Sequence, residues 1–191
     1  MLDKSIPYYN VIMRRPSGIP IPSFELPHGY SIVSFREGQE EKWAEIEASV
    51  GEFETKEEAL RYFHAEYMPF TDDLKERSLF VVNANREEAG TVTGWWNRTG
   101  MRRDPSIHWF AVKQDYQGLG LGKALVSECL KRLVQLEGNK DVFLHTQTWS
   151  YRAIGLYMKA GFRIEPSDTF AYYRNEYREA MPILRKYLKN I

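Results

Sequence analysis

One cysteine, Cys129, is all that 191 residues contain. An internal disulfide is therefore excluded, which agrees with a reducing compartment. Cys129 is spaced with Leu121, Leu125 and Leu136 and reads as a core residue. Net charge is missing too, since 26 Lys and Arg balance 26 Asp and Glu. No global field then draws the chain to nucleic acid or to an anionic membrane, and no basic strip interleaved with aromatics argues for a nucleic-acid substrate. No apolar run is long enough to span a bilayer, and the opening MLDKSIPYYNVIMRRP lacks a basic segment followed by an apolar stretch. The expectation is a cytoplasmic protein with no nucleic-acid and no membrane partner. Repeats and low-complexity segments are absent as well. Prolines crowd only RRPSGIPIPSFELPHG, Arg14 to Gly29, where they forbid regular helix and suggest an extended arm. The length suits one domain over residues 1–191, with an N-terminal arm over about 1–29 and a C-terminal helix over about 180–190.

Periodicity supplies the elements. Strands are expected near Tyr8–Met13 and Tyr30–Phe35, then helices near Gln39–Val50 and Thr55–Met68. SLFVVNANREEAGTVTGWWN reads as a hairpin, with Trp95 and Trp96 on opposite faces of its second strand. SIHWFAV, Ser106 to Val112, is a buried strand whose strict alternation puts Ser106, His108, Phe110 and Val112 on one face, and Ile107, Trp109 and Ala111 on the other. A helix to about Glu137, the strand DVFLHTQT, and a helix from Ser150 to Gly161 follow. A hairpin of FRIE with TFAYYR and a last helix from about Ala180 close the chain. Antiparallel strands first and a strand, helix, strand crossover later make a mixed α/β domain.

Between the buried strand and its helix lies QDYQGLGLGKALV, with Gly118, Gly120 and Gly122 at alternate positions. A Walker loop would need glycine at Gln117 and a hydroxyl at Ala124, and a dinucleotide fingerprint would need glycine at Lys123, so both fail. What fits is Gln-x-x-Gly-x-Gly over Gln117, Gly118, Leu119, Gly120, Leu121 and Gly122, opening a helix. Glycines let consecutive N–H groups converge on one anion, and the helix N-terminus adds its positive end. A pyrophosphate is the expected ligand.

This loop resembles the one that grips the coenzyme A pyrophosphate in the GNAT superfamily of acetyl-CoA-dependent N-acetyltransferases. A second stretch, SYRAIGLYMKAGF, resembles that family's Asn-x-x-Ala-x-x-Leu-Tyr-x-x-x-Gly-Phe helix through Ala153, Leu156, Tyr157, Gly161 and Phe162, with Ser150 standing where the pattern has Asn. A serine there is expected to cap the helix. The resemblance covers roughly Ser106 to Arg163. It implies a central, mostly antiparallel sheet with a splayed strand pair, flanked by helices. It also implies acetyl-CoA as acyl donor, an amine acceptor, direct attack in a ternary complex, and no metal; a homodimer is left open. By resemblance Tyr157 is the acid for the thiolate, while His108 or water is the base. Phe110, Ala111 and Val112 offer backbone groups to the pantetheine arm, and Gln117 to Lys123, Ser150 and Ala153 complete the coenzyme A contacts. Lys113, Lys123, Arg152 and Lys159 are cationic candidates for the 3′-phosphate. The run from Glu37 to Glu58, with nine glutamates against Lys42 and Lys56, is a candidate acidic wall for a cationic acceptor.

Overall fold

The computed structural model describes residues 2–189 and 191. Seven strands form one sheet: β1 (Asn10–Arg15), β2 (Ser31–Ser34), β3 (Ser78–Val82), β4 (Glu88–Thr99), β5 (Arg102–Val112), β6 (Val142–Gln147) and β7 (Arg163–Ile164). Their order is β2-β3-β4-β5-β6-β1-β7, antiparallel throughout except between β5 and β6. Those two share a single pairing, Ser106 with Phe143, and then part. The splayed pair therefore opens in the middle of the sheet.

Helices cover both faces. α4 (Leu121–Glu137), α5 (Tyr151–Lys159) and α6 (Tyr177–Tyr187) close a core that includes Leu79, Val92, Leu125, Cys129 and Leu144. α1 (Glu40–Ser49) and α2 (Lys56–Glu66) close a second one around Trp43, Phe63, Tyr67, Phe80 and Trp95. α2 starts where Thr55 accepts from the Glu58 amide at 3.1 Å, an N-cap worth about 1 kcal/mol, and the Glu58 carboxylate reaches back to the Glu54 amide at 3.1 Å. Among the described residues no helix is long and apolar enough to cross a membrane.

Two elements depart from expectation. α3 (Thr71–Arg77) has no counterpart in the periodicity reading, because Leu74 is the only apolar side chain it buries. Its other buried residue is Arg77, held by Glu137 at 2.7 Å and by the Trp96 ring, so its anchoring is ionic rather than apolar. The hairpin of FRIE with TFAYYR does not form. β7 pairs with β1 instead, and the second stretch makes one isolated bridge, Phe170 to Tyr173. Two of its three aromatic residues, read as strand formers, pack against β6 instead: Phe170 stacks on Phe143 and Tyr173 on His145, while Tyr172 is exposed.

Candidate active site

Strict alternation along β5 fails at one place. β4 residues Thr91 and Thr93 pair with Ala111 and His108, so three steps on β5 oppose two on β4 and one residue is extra. Trp109 absorbs the bulge at φ 45°, a conformation disfavoured for so bulky a side chain. From there on the faces exchange. Phe110 and Val112 join Ile107 against α4 and α5, whereas Trp109 and Ala111 pack toward α1 and α2. His108 reaches Tyr67, the residue that ends α2, and thus lies on the opposite side from Phe110 and Val112, which corrects the single face expected for these three.

The glycine loop follows this strand. Gly118 and Gly120 adopt φ of 83° and 87°, and a Cβ at either would meet nothing within 4 Å. The backbone there faces open space. Among the described residues, no acceptor takes the N–H groups of Gly118 to Gly122, and α4 starts without a side-chain cap. Gly122 has a different task, since a Cβ on it would lie 2.9 Å from the Phe110 ring and 3.1 Å from Leu156. Its absence lets α4 lie close on β5.

A groove of about 420 Å³ runs past these amides, lined by Phe110, Ala111, Val112, Gln117, Gly118, Gly120, Leu121, Gly122, Lys123, Ser150, Arg152 and Ala153. Of the residues expected to contact coenzyme A, Leu119 stays outside and half exposed, and Tyr157 faces a second cavity. Gln117 turns its amide back, donating to the Val112 carbonyl at 2.8 Å. Ser150 precedes α5 without capping it; its hydroxyl accepts from Gln147 Nε2 at 3.2 Å. Lys123 and Arg152 remain on the groove, while Lys113 is paired with Glu45 at 2.7 Å.

The second cavity, about 530 Å³, meets the first at Glu52, Phe110, Ser150 and Ala153, beside the split between β5 and β6. Aromatic side chains dominate its wall, and Tyr157, His108 and His145 face it. Trp95 lines it and Trp96 does not, although the two indoles, expected on opposite faces, stack at 4.3 Å. Tyr157 is 6 % exposed and edges against Phe110 and Phe162. Burial, then Glu52 and Glu47, push its phenol well above the ordinary value and keep it protonated. Burial acts likewise on thiols, as on Cys129, pushed up to about 12. A thiolate leaving in the same dry surroundings would gain proton affinity in parallel.

His108 is more constrained than its sequence position suggests. Asn97 Nδ2 lies 2.6 Å from its Nε2, so the ring proton belongs on Nδ1, aimed at the Tyr67 hydroxyl at 3.2 Å. Both nitrogens are engaged. Burial, then the neighbouring His145, brings its pKa down to about 4. Taking a proton from an ammonium of pKa ~10 is then uphill by roughly six units, about 8 kcal/mol. His145, stacked on Tyr173 and donating to Asn10 Oδ1 at 2.9 Å, is also brought down to about 4 by burial.

These two imidazoles make stability pH-dependent in a definite sense. Between about 4 and an unfolded value of about 6.5, the unfolded chain binds protons that the native one refuses. The stabilisation is whole above about 6.5 and is lost as pH falls through about 4. The two imidazoles contribute on the order of 2–3 kcal/mol to the difference in urea unfolding between about pH 7 and 4.5, allowing for partial exposure, while Glu47, whose carboxyl burial raises, works in the opposite sense. His108→Gln should shift the measured difference by nearly half of the imidazole share. An unchanged difference would mean that the His108 ring is freely hydrated.

Three groups at this cavity escaped the sequence reading as individuals. Tyr67 and Asn97, which hold His108, sit on elements that periodicity located but could not aim. Glu47 was visible only as one glutamate of an acidic run, most of which is solvated or paired to lysine, as Glu41 is to Lys56 and Glu37 to Lys75. Its signal is position: it follows Trp43 by four residues on the buried face of α1.

A profile of the Acetyltransferase (GNAT) family matches residues 34–162. A mycothiol acetyltransferase of Paenarthrobacter aurescens is 30 % identical over 149 residues, covering 74 % of this chain and 45 % of that protein. An N-alpha-acetyltransferase of Sulfurisphaera tokodaii is 27 % identical over 107 residues, covering 51 % and 64 %. The chain spans about half the length of the mycothiol acetyltransferases it matches. Among solved structures, a GCN5-related N-acetyltransferase from Sphaerobacter thermophilus superposes with TM-score 0.60 at 24 % identity, covering 82 % of this chain and 48 % of the other. Glucosamine-6-phosphate N-acetyltransferase from Arabidopsis thaliana gives TM-score 0.52 at 18 %, covering 76 % and 99 %. At these identities the structural likeness speaks for the fold.

Proposed function

This chain belongs to the acetyltransferase (GNAT) family, and from that premise we propose that it moves an acetyl group from acetyl-CoA to a primary amine of a small molecule or peptide, by direct attack in a ternary complex. One observation carries the reading. A groove floored by unpartnered loop amides meets, at Phe110 and Ala153, a separate cavity that Tyr157 faces.

Each part has a chemical task. The amides of Gly118 to Gly122 and the α4 N-terminus hold the pyrophosphate, with Lys123 and Arg152 available to a further phosphate. Beyond Ser106, β5 leaves its β6-side backbone groups unpaired, and these take the pantetheine arm as a strand would. An N–H near Ala111 polarises the thioester carbonyl. Tyr157 gives its proton to the departing thiolate. His108, expected as a base, is only weakly basic, at about 4, and has both nitrogens engaged, so its part is to fix Tyr67 and Asn97 at the acceptor cavity while the amine proton leaves by another group.

The test is thiol release from acetyl-CoA over a panel of amines that includes glucosamine 6-phosphate and peptide α-amines, acceptors suggested by the relatives' names. Acceptor-dependent release is the expected result. Coenzyme A binding with no such release from any amine would overturn the enzyme reading in favour of a ligand sensor.

A further inference from the structure

Glu47 is 0 % exposed, and neither of its carboxylate oxygens has a hydrogen-bond partner among the described residues. It nevertheless forms part of the wall of the acceptor cavity. An ionised carboxylate in that state is strongly disfavoured unless a cation joins it. Among the described residues, the one cationic side chain on the cavity wall besides the two neutral imidazoles is Lys4, which is exposed and lies over the Trp149 ring. Sharing the cavity wall with Glu47 are Glu52 beyond the end of α1, Glu66 at the end of α2 and Tyr67 just after it, His108 on β5, and Tyr157 on α5. Every one of them is neutral or acidic. Burial, then Glu52, holds the Glu47 carboxyl well above the usual carboxylate range, so in the empty cavity it carries its proton.

The rest of the wall describes what would sit beside this carboxyl. Tyr62 and Trp109 meet edge to face at 5.0 Å, as do Tyr67 and Trp95 at 5.0 Å, and Tyr172 stands at the mouth, 85 % exposed. These rings favour a flat apolar body and their faces favour a cation, while Asn97, Gln147 and Ser150 add polar groups to the same wall.

We propose that Glu47 anchors the acceptor's ammonium and receives its proton, and that the acceptor is a primary amine borne on a flat apolar body; this rests on the acetyl-transfer reading for the step that follows. When the ammonium enters, Glu47 releases its proton to solvent and pairs with it. The carboxylate then takes a proton from nitrogen, so an N–H bond breaks and an O–H bond forms. The freed lone pair attacks the acetyl carbonyl, the N–C bond forms and the C–S bond breaks. The thiolate takes the Tyr157 proton, and Tyr157 regains one from the second N–H of the new amide nitrogen. Glu47 ends protonated, as it began, and the net proton of the reaction is the one released on binding.

Calorimetric titration of the unaltered protein with 2-phenylethylamine, at about pH 6 in buffers of different ionisation enthalpy, should show about one proton released per amine bound. 2-Phenylethanol should release none, and glucosamine should bind at least ~10-fold more weakly. In Glu47→Gln the proton release should vanish and the amine affinity fall by roughly 30-fold or more, with coenzyme A affinity within about 2-fold of the original. Equal binding of amine and alcohol without proton release, or proton release retained in Glu47→Gln, would overturn the proposal. The titration of the unaltered protein decides the matter even if Glu47→Gln does not fold. Amine binding with proton release but no thiol release from acetyl-CoA would support the Glu47 site and overturn the reaction instead.

Discussion

Tyr157→Phe is expected to bind coenzyme A within a few-fold of the original protein while turning over roughly 10- to 1000-fold more slowly. The substitution removes one oxygen. The ring contacts with Phe110 and Phe162, at 5.8 and 5.9 Å between centroids, are kept, so α5 should stay seated on the core. What is lost is a protonated hydroxyl in a dry site next to the junction of groove and cavity. The measurement is single-turnover thiol release beside calorimetric binding. Binding and rate lost together would identify a structural hydroxyl, and a full rate with chemistry limiting would dismiss the acid role.

Gly120→Val attacks the other half of the site. At φ 87° a β-branched residue is a steric outlier, so the loop must turn, and with it the amides that open α4. Acetyl-CoA affinity should fall by well over ~10-fold, beyond ~1.4 kcal/mol, while the fold persists because a Cβ there meets no neighbour within 4 Å. Unchanged affinity by calorimetry in a folded variant would refute the pyrophosphate assignment. A value at Gly122 would mislead, since substitution there collides with Phe110 and tests packing instead.

The elements that periodicity located were those with a strong apolar rhythm or a punctuating residue: α4 between Gly120 and Gly138, α2 behind Thr55, and the β3–β4 pair. The loop was legible because its glycines carry backbone conformation, a local property. What escaped depends on distant partners. α3 is held by Arg77 against Glu137, sixty residues away. The bulge at Trp109 is a mismatch between two strands, and nothing in SIHWFAV alone announces it. TFAYYR reads as a strand because aromatic residues favour sheets, yet Phe170 and Tyr173 stack instead on Phe143 and His145 of β6. Glu47 was hidden for the opposite reason: a glutamate among glutamates is ordinarily solvated, and only the packing of α1 against the sheet makes this one dry.

Tyr8, Phe170, Tyr172 and Tyr173 all border the second cavity, and all lie outside the span 34–162 that the family profile recognises. On the proposed reading the acceptor cavity is thus shared between that span, which holds Glu47, Tyr62, Trp95 and Trp109, and the stretches that flank it. Kinship measured over the shared span covers the glycine loop but leaves out the aromatic residues at this edge of the cavity. Transplanting residues 165–176 from a relative should accordingly alter acceptor preference at the mouth of the cavity without disturbing the glycine loop.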